Sequence, residues 1–276
     1  MRIPLTVTIG AKVDKETSKP VFEPLDETLA NLDMLADNHV SAVELVNGQY
    51  LLEKSTSELI ALKKNFDERG IEIASIHAPF GENHDLAALS DAERCQALEI
   101  QKKVLPLAAL LGARVVVIHP GVQVKSSLRD AASQALMKSL PELTRVAEEV
   151  GILLGLENNE PGYMGDDADA LLGWVEQVNS PALGICFDTG HAHCNGTMRE
   201  SFAILKDRIV AFHLSDNDGT CDQHLQPGHG TIDWQAFKEI FQTMSFAEPL
   251  NVEVIPSLDT SYRTMMDEVT SLLENV

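Results

Sequence analysis

His77, His119, Glu157, Asp188, His213 and Glu253 share one setting: each stands directly after a short apolar run, in "IEIASIHAPFG", "ARVVVIHPG", "GILLGLENNEPG", "GICFDTGHAHCNG", "IVAFHLSD" and "PLNVEVIP". Carboxylates that converge in a partly dry cleft raise one another's pKa unless a cation compensates, and a divalent metal is such a cation. Mixed imidazole and carboxylate donors suit Zn²⁺, Mn²⁺, Fe²⁺ or Co²⁺ rather than Ca²⁺, which takes oxygen alone. Mn²⁺ and Zn²⁺ are the first candidates. Asp188 and His191 lie three apart across "DTGH", where Gly190 is expected to allow a sharp bend that brings both to the cluster. His193 is expected to support that cluster or face solvent.

For six such residues to meet, their strands must end side by side. Short β-branched runs over 3–9, 42–46, 71–76, 114–118, 152–156, 183–187, 209–214 and 250–255 read as eight strands. Between them lie amphipathic segments, clearest over Asp91 to Leu111 and Ser127 to Val150, each followed by a glycine stop signal, Gly112 or Gly151. Eight strand–helix units predict a single (β/α)₈ TIM barrel of the α/β class, one domain over 1–276, whose strand C-termini converge on one mouth. A doubly wound sheet would place a glycine-rich phosphate turn after its first strand, and "VTIGAKVDK" is no such turn.

Composition narrows the partners. With 42 acidic and 21 basic residues the formal net charge is −21, a field that repels polyanions over about a Debye length, ~8 Å. Lysines and arginines are scattered and aromatics make up only 5%, so neither a phosphate-binding patch nor a stacking platform for bases is evident, and nucleic acid is disfavoured. No apolar run reaches membrane-spanning length and the N-terminus does not read as a secretory signal. Cys95, Cys186, Cys194 and Cys221 form no CxxC pair, which fits a reducing cytoplasm. A small-molecule partner is expected, with self-association left open.

The ordered set "SIHAPFG", "VVVIHPG", "LEN", "GICFDTGHAH", "FHLSDNDGTCDQHLQPGHGTIDW" and "VEVIP" resembles the xylose-isomerase-like TIM-barrel superfamily over nearly the whole chain. That superfamily holds sugar isomerases and epimerases and also the endonuclease IV apurinic-site nucleases. The epimerase pattern, one metal held by Glu, Asp, His and Glu, carries over to Glu157, Asp188, His213 and Glu253. The nuclease pattern, a three-metal cluster, carries over to those four with His77, His119, His191, Asp222 and His224. The resemblance therefore implies one to three divalent ions per chain.

Two activities follow. A sugar or sugar-phosphate isomerase or epimerase would polarise the substrate carbonyl with its metal and stabilise an enediolate, with Glu157 and Glu253 exchanging protons on opposite sides of the carbon. A multinuclear phosphoesterase would activate water at clustered ions, and the acidic chain favours a small phosphoester over abasic DNA. No arginine stands near His213 to grip a particular sugar. Glu44, ending the second strand in "AVELVNG", and His229, in "QPGHGTIDW", are expected to touch substrate. His39 and His84 read as surface or loop groups, Trp174 and Trp234 as helix packing, and Asp233 as a helix cap.

Overall fold

Alternation along each apolar run decides which side chains enter the barrel and which pack beneath the helices. The computed structural model describes residues 4–13, 20–22, 25–46, 48–254 and 261–274. Its strands are β1 (Leu5–Ile9), β2 (Ala11–Val13), β3 (Pro20–Phe22), β4 (Ala42–Leu45), β5 (Glu72–His77), β6 (Val115–Ile118), β7 (Leu153–Glu157), β8 (Leu183–Asp188), β9 (Ile209–Leu214) and β10 (Leu250–Val252). Eight of them close into a parallel barrel in the order β1-β10-β9-β8-β7-β6-β5-β4, the TIM barrel that the sequence predicts. The expected eighth strand is shorter than read, ending at Val252, while Ile3 and Ile255 lie outside the described residues. β2 and β3 pair antiparallel in a separate ribbon that the sequence reading did not anticipate.

Inside the barrel, Val115, Val117 and Cys186 pack with Leu153 and Ala211. Outside it, Phe187 and Phe202 stack at 4.9 Å, Phe202 and Phe237 at 5.0 Å, and Phe212 meets Phe202 edge-on at 5.7 Å. Each of these phenylalanines is fully buried, which contributes roughly 1.5–3 kcal/mol apiece. The consequence reaches the barrel mouth: Phe187 and Phe212 face outward, so Asp188 and His213, one residue on, face inward.

Two register shifts refine that placement. β8 and β9 slip between Ile185 and Cys186, which sets Asp188 abreast of His213. β4 and β5 slip between Val43 and Glu44, which sets Glu44 abreast of Ser75. Such bulges re-aim side chains next to functional sites. The barrel closes where Thr6 meets Asn251, whose side chains hydrogen-bond at 3.0 Å.

The helix Asp91–Leu111 matches the expected span, is capped by Ser90 and stops at Gly112 with φ of 87°. The next long helix begins at Arg129, after a 3₁₀ turn over Ser126–Leu128, and stops at Gly151 with φ of 75°. Asp233 caps Trp234–Phe241 as expected, and both tryptophans are buried. Among the described residues no helix is long and apolar enough to cross a membrane.

Candidate metal centre

Glu157 ends β7, Asp188 ends β8, His213 lies within β9 and Glu253 follows β10, and the four offer ligand atoms that all lie within 4.8 Å of one another. Nδ1 of His213 is the hub, 2.8 Å from Glu157 Oε1 and 2.9 Å from Glu253 Oε2. Of these two carboxylates Glu157 has hydrogen-bond geometry to Nδ1, and which partner donates depends on the tautomer of the ring. Asp188 completes the set while capping the short helix Thr189–Cys194, Oδ1 accepting from the His191 backbone at 2.6 Å.

Two flanking groups adjoin this centre. On one side His77 Nε2 and His119 Nε2 stand 3.3 and 2.9 Å from Glu157 Oε2. On the other, Asp222 Oδ2 lies 2.8 Å from His224 Nε2 and 3.5 Å from His191 Nε2. The nine residues thus line one mouth. His77, His191 and His224 each place Nδ1 within 2.8, 2.9 and 3.2 Å of a backbone carbonyl, those of Ala78, Asn158 and Glu253. A carbonyl only accepts, so a neutral ring keeps its proton on Nδ1 and turns the Nε2 lone pair to the cluster, as metal-binding histidines do. His224 holds this pose with φ of 47°, a left-handed conformation that costs about 1–2 kcal/mol and is concentrated at functional sites.

Charge alternates across the mouth. Burial pushes the Asp188 carboxyl up to about 7, with the charges of Glu253, Glu157 and Asp222 adding to it against His191. Burial also acts on Glu157 and Glu253, but the facing imidazoles outweigh it and hold Glu157 well below the usual range and Glu253 down to about 2. Burial disfavours the charged form of His191, His213 and His224, yet the surrounding carboxylates raise all three, His224 to about 10. Among the described residues, Asp188 Oδ2, Asp222 Oδ1 and Glu253 Oε2 are buried with no hydrogen-bond partner. Buried carboxylate oxygens without hydrogen-bond partners, set among imidazole nitrogens, are a donor set that fits a divalent cation.

The structure departs from expectation at three places. "DTGH" is no sharp turn but the start of a helix, and Gly190 is needed because a Cβ there would collide with Ser215 Oγ. Glu44 does not face the mouth: it is 1% exposed beneath His213, its carboxylate taken up by Ser75, Asn251 and His213. His229 is exposed beside Glu268 of the C-terminal helix, because Asp216 binds the Gly228 and Ile232 amides and Trp234 Nε1, which fixes the path of that loop. His193 hydrogen-bonds Thr231, and His39 and His84 lie in connections.

Three contributors went unread. Asn158 bonds the Asp188 backbone at both ends, and its position directly after Glu157 in "LENN" was the available signal. Asn251 sits two residues before Glu253, on the inward alternation of β10. Phe80, 40% exposed, stacks on His119 with centroids 4.6 Å apart and walls one side of the mouth; "HAPF" alone carries no cue to that.

The profile of the family described as xylose isomerase-like TIM barrel matches residues 32–270. The chain belongs to this family. Among its relatives, the uncharacterized protein MJ1311 of Methanocaldococcus jannaschii is 31% identical over 86% of this chain and 82% of its own. A probable endonuclease 4 of Bacillus cereus is 25% identical over 72% and 70%. Of solved structures, a D-tagatose 3-epimerase-like protein superposes with a TM-score of 0.80 at 26% identity, covering 98% of this chain and 97% of that one. The IOLI protein, solved with a bound zinc atom, has a TM-score of 0.74 at 20% identity over 88% and 92%, a likeness of fold.

Proposed function

We propose that the protein is a metal-dependent isomerase or epimerase of a small sugar or sugar derivative, with Mn²⁺ or Zn²⁺ held by Glu157, Asp188, His213 and Glu253. One observation carries this reading: Glu157 and Glu253 approach His213 Nδ1 from strands on different sides of the mouth, at 2.8 and 2.9 Å. When bound, a divalent cation would polarise a substrate carbonyl and make the adjacent C–H acidic. Both carboxylates are held ionised, so either has an oxygen free to take the proton, and the opposite one, protonated from solvent, would return a proton from the other side. Asp188 stays fixed by Asn158, while Phe80 offers an apolar wall to the C–H face of a sugar. The test is deuterium wash-in: incubation with a panel of ketoses and aldoses in heavy water with Mn²⁺ or Zn²⁺. Incorporation beside the carbonyl supports the reading, and none across the panel refutes it.

A second reading, hydrolysis of a small phosphoester, is favoured by the two flanking groups, which a one-metal isomerase does not require. His77 and His119 with Glu157, and His191 with Asp222 and His224, would hold further ions that activate water and steady a leaving oxygen. The net charge of −21 disfavours DNA as the substrate. Release of nitrophenol from a small phosphodiester, lost in His119→Ala and His224→Ala, would move the assignment to this branch.

A further inference from the structure

Glu44 is the unexplained charge in the barrel. It is buried to 1%, and among the described residues no lysine or arginine bonds it. Its oxygens lie 3.1 and 3.2 Å from His213 Nε2. Ser75 donates to Oε2 at 2.7 Å and Asn251 Nδ2 to Oε1 at 3.2 Å, while the same Asn251 amide donates to Thr8 at 2.8 Å and its carbonyl accepts from Thr6 at 3.0 Å. The registers Thr8–Glu44, Glu44–Ser75 and Asn251–His213 lay this network across five adjacent strands, one level below the mouth. A buried carboxylate is costly unless something uses its charge.

We infer that Glu44 is a positioning residue that selects the metal-binding tautomer of His213. A carboxylate at Nε2 accepts that nitrogen's hydrogen and leaves the Nδ1 lone pair aimed between Glu157, Asp188 and Glu253. Were Nε2 unpartnered, the proton could settle on Nδ1, which Glu157 invites at 2.8 Å, and the ligand would be lost. The Ser75 and Asn251 donors hold the carboxylate so that it cannot turn away. The idea rests on the central site proposed above and adds a determinant of metal affinity below it.

The experiment is metal affinity, read by competition between the full-length protein and a chromophoric chelator for Zn²⁺ and Mn²⁺, with imidazole nitrogen NMR of the Zn²⁺-loaded form. Glu44→Gln keeps the shape and removes the charge, and it is expected to weaken binding by ~10–100-fold. Its metal-free melting should stay near that of the wild type, and the Nδ1-bound, Nε2-protonated signature of His213 should diminish. Glu44→Asp should recover part of the affinity. Ser75→Ala, which only frees the carboxylate to turn, should weaken binding less but in the same direction, and it decides the matter if Glu44→Gln does not fold. Wild-type affinity and tautomer in the folded variants overturn the role of Glu44 alone. Unchanged binding in His213→Ala overturns the central site and this inference together.

Discussion

Asp188 and His191 are joined through one oxygen only: Oδ1 takes the His191 amide at 2.6 Å while Oδ2 of the same carboxylate is buried without a hydrogen-bond partner among the described residues. The carboxyl is raised to about 7 by burial. The folded protein therefore holds this proton between the unfolded value near 4 and about 7, so the group's stabilising contribution is greatest at low pH and is lost as pH rises to about 7. Asp188→Asn keeps the cap and removes the charge. The metal-free variant should melt above the wild type at pH ~8.5 and show little difference at pH ~4, each kcal/mol shifting Tm by about 2–4 °C. Calorimetry of chelator-treated protein at the two pH values checks this, and equal melting at both would refute the unpaired-charge account.

Glu157→Gln and Glu253→Gln should leave the barrel folded and lower turnover by ~100–10,000-fold on any sugar that wild type converts. If the two carboxylates serve opposite faces, each variant should lose deuterium wash-in from a different epimer. Full activity in either variant would remove the two-carboxylate mechanism.

Metal content separates the two chemistries. Protein purified without chelator and saturated with Mn²⁺ or Zn²⁺ should hold one ion per chain that survives His119→Ala and His224→Ala if it is an isomerase. Elemental analysis showing two or three ions, lowered by those substitutions, would instead favour phosphoester hydrolysis.

Gly190→Ala would drive a methyl group into Ser215 Oγ at the start of the helix that Asp188 caps. Overpacking of this kind typically costs about 1–3 kcal/mol. Thermal melting should fall accordingly, and metal affinity with it, because His191 rides on the same turn. The double variant Gly190→Ala, Ser215→Gly should recover much of both.

The barrel and the convergence of its strand ends were legible because one rule governs both: alternation puts every second residue inside, and an ionisable residue closing an apolar run must then stand at the mouth. Depth was not legible. Glu44 follows the same rule yet lies a level lower, because the slip between β4 and β5 sets it against Ser75. A register shift leaves no trace in residue type. The place of His229 is hidden for a related reason, since the course of its loop depends on side-chain bonds from Asp216, which residue type alone does not reveal. The β2–β3 ribbon is three residues on each strand, too short to carry a readable period.

The seam between Thr6 and Asn251 also sets the order in which the protein acquires its chemistry. Asn251 and Glu253 are carried by the last barrel strand, and the hydrogen bond that closes the ring joins positions 245 residues apart. A chain synthesised only as far as β9 carries Glu157, Asp188 and His213, yet it lacks the fourth carboxylate and the amide that steadies Glu44. If the four residues take an ion together, as proposed above, capture requires the closed ring, and the ion would act as a clasp on the C-terminal end of the barrel.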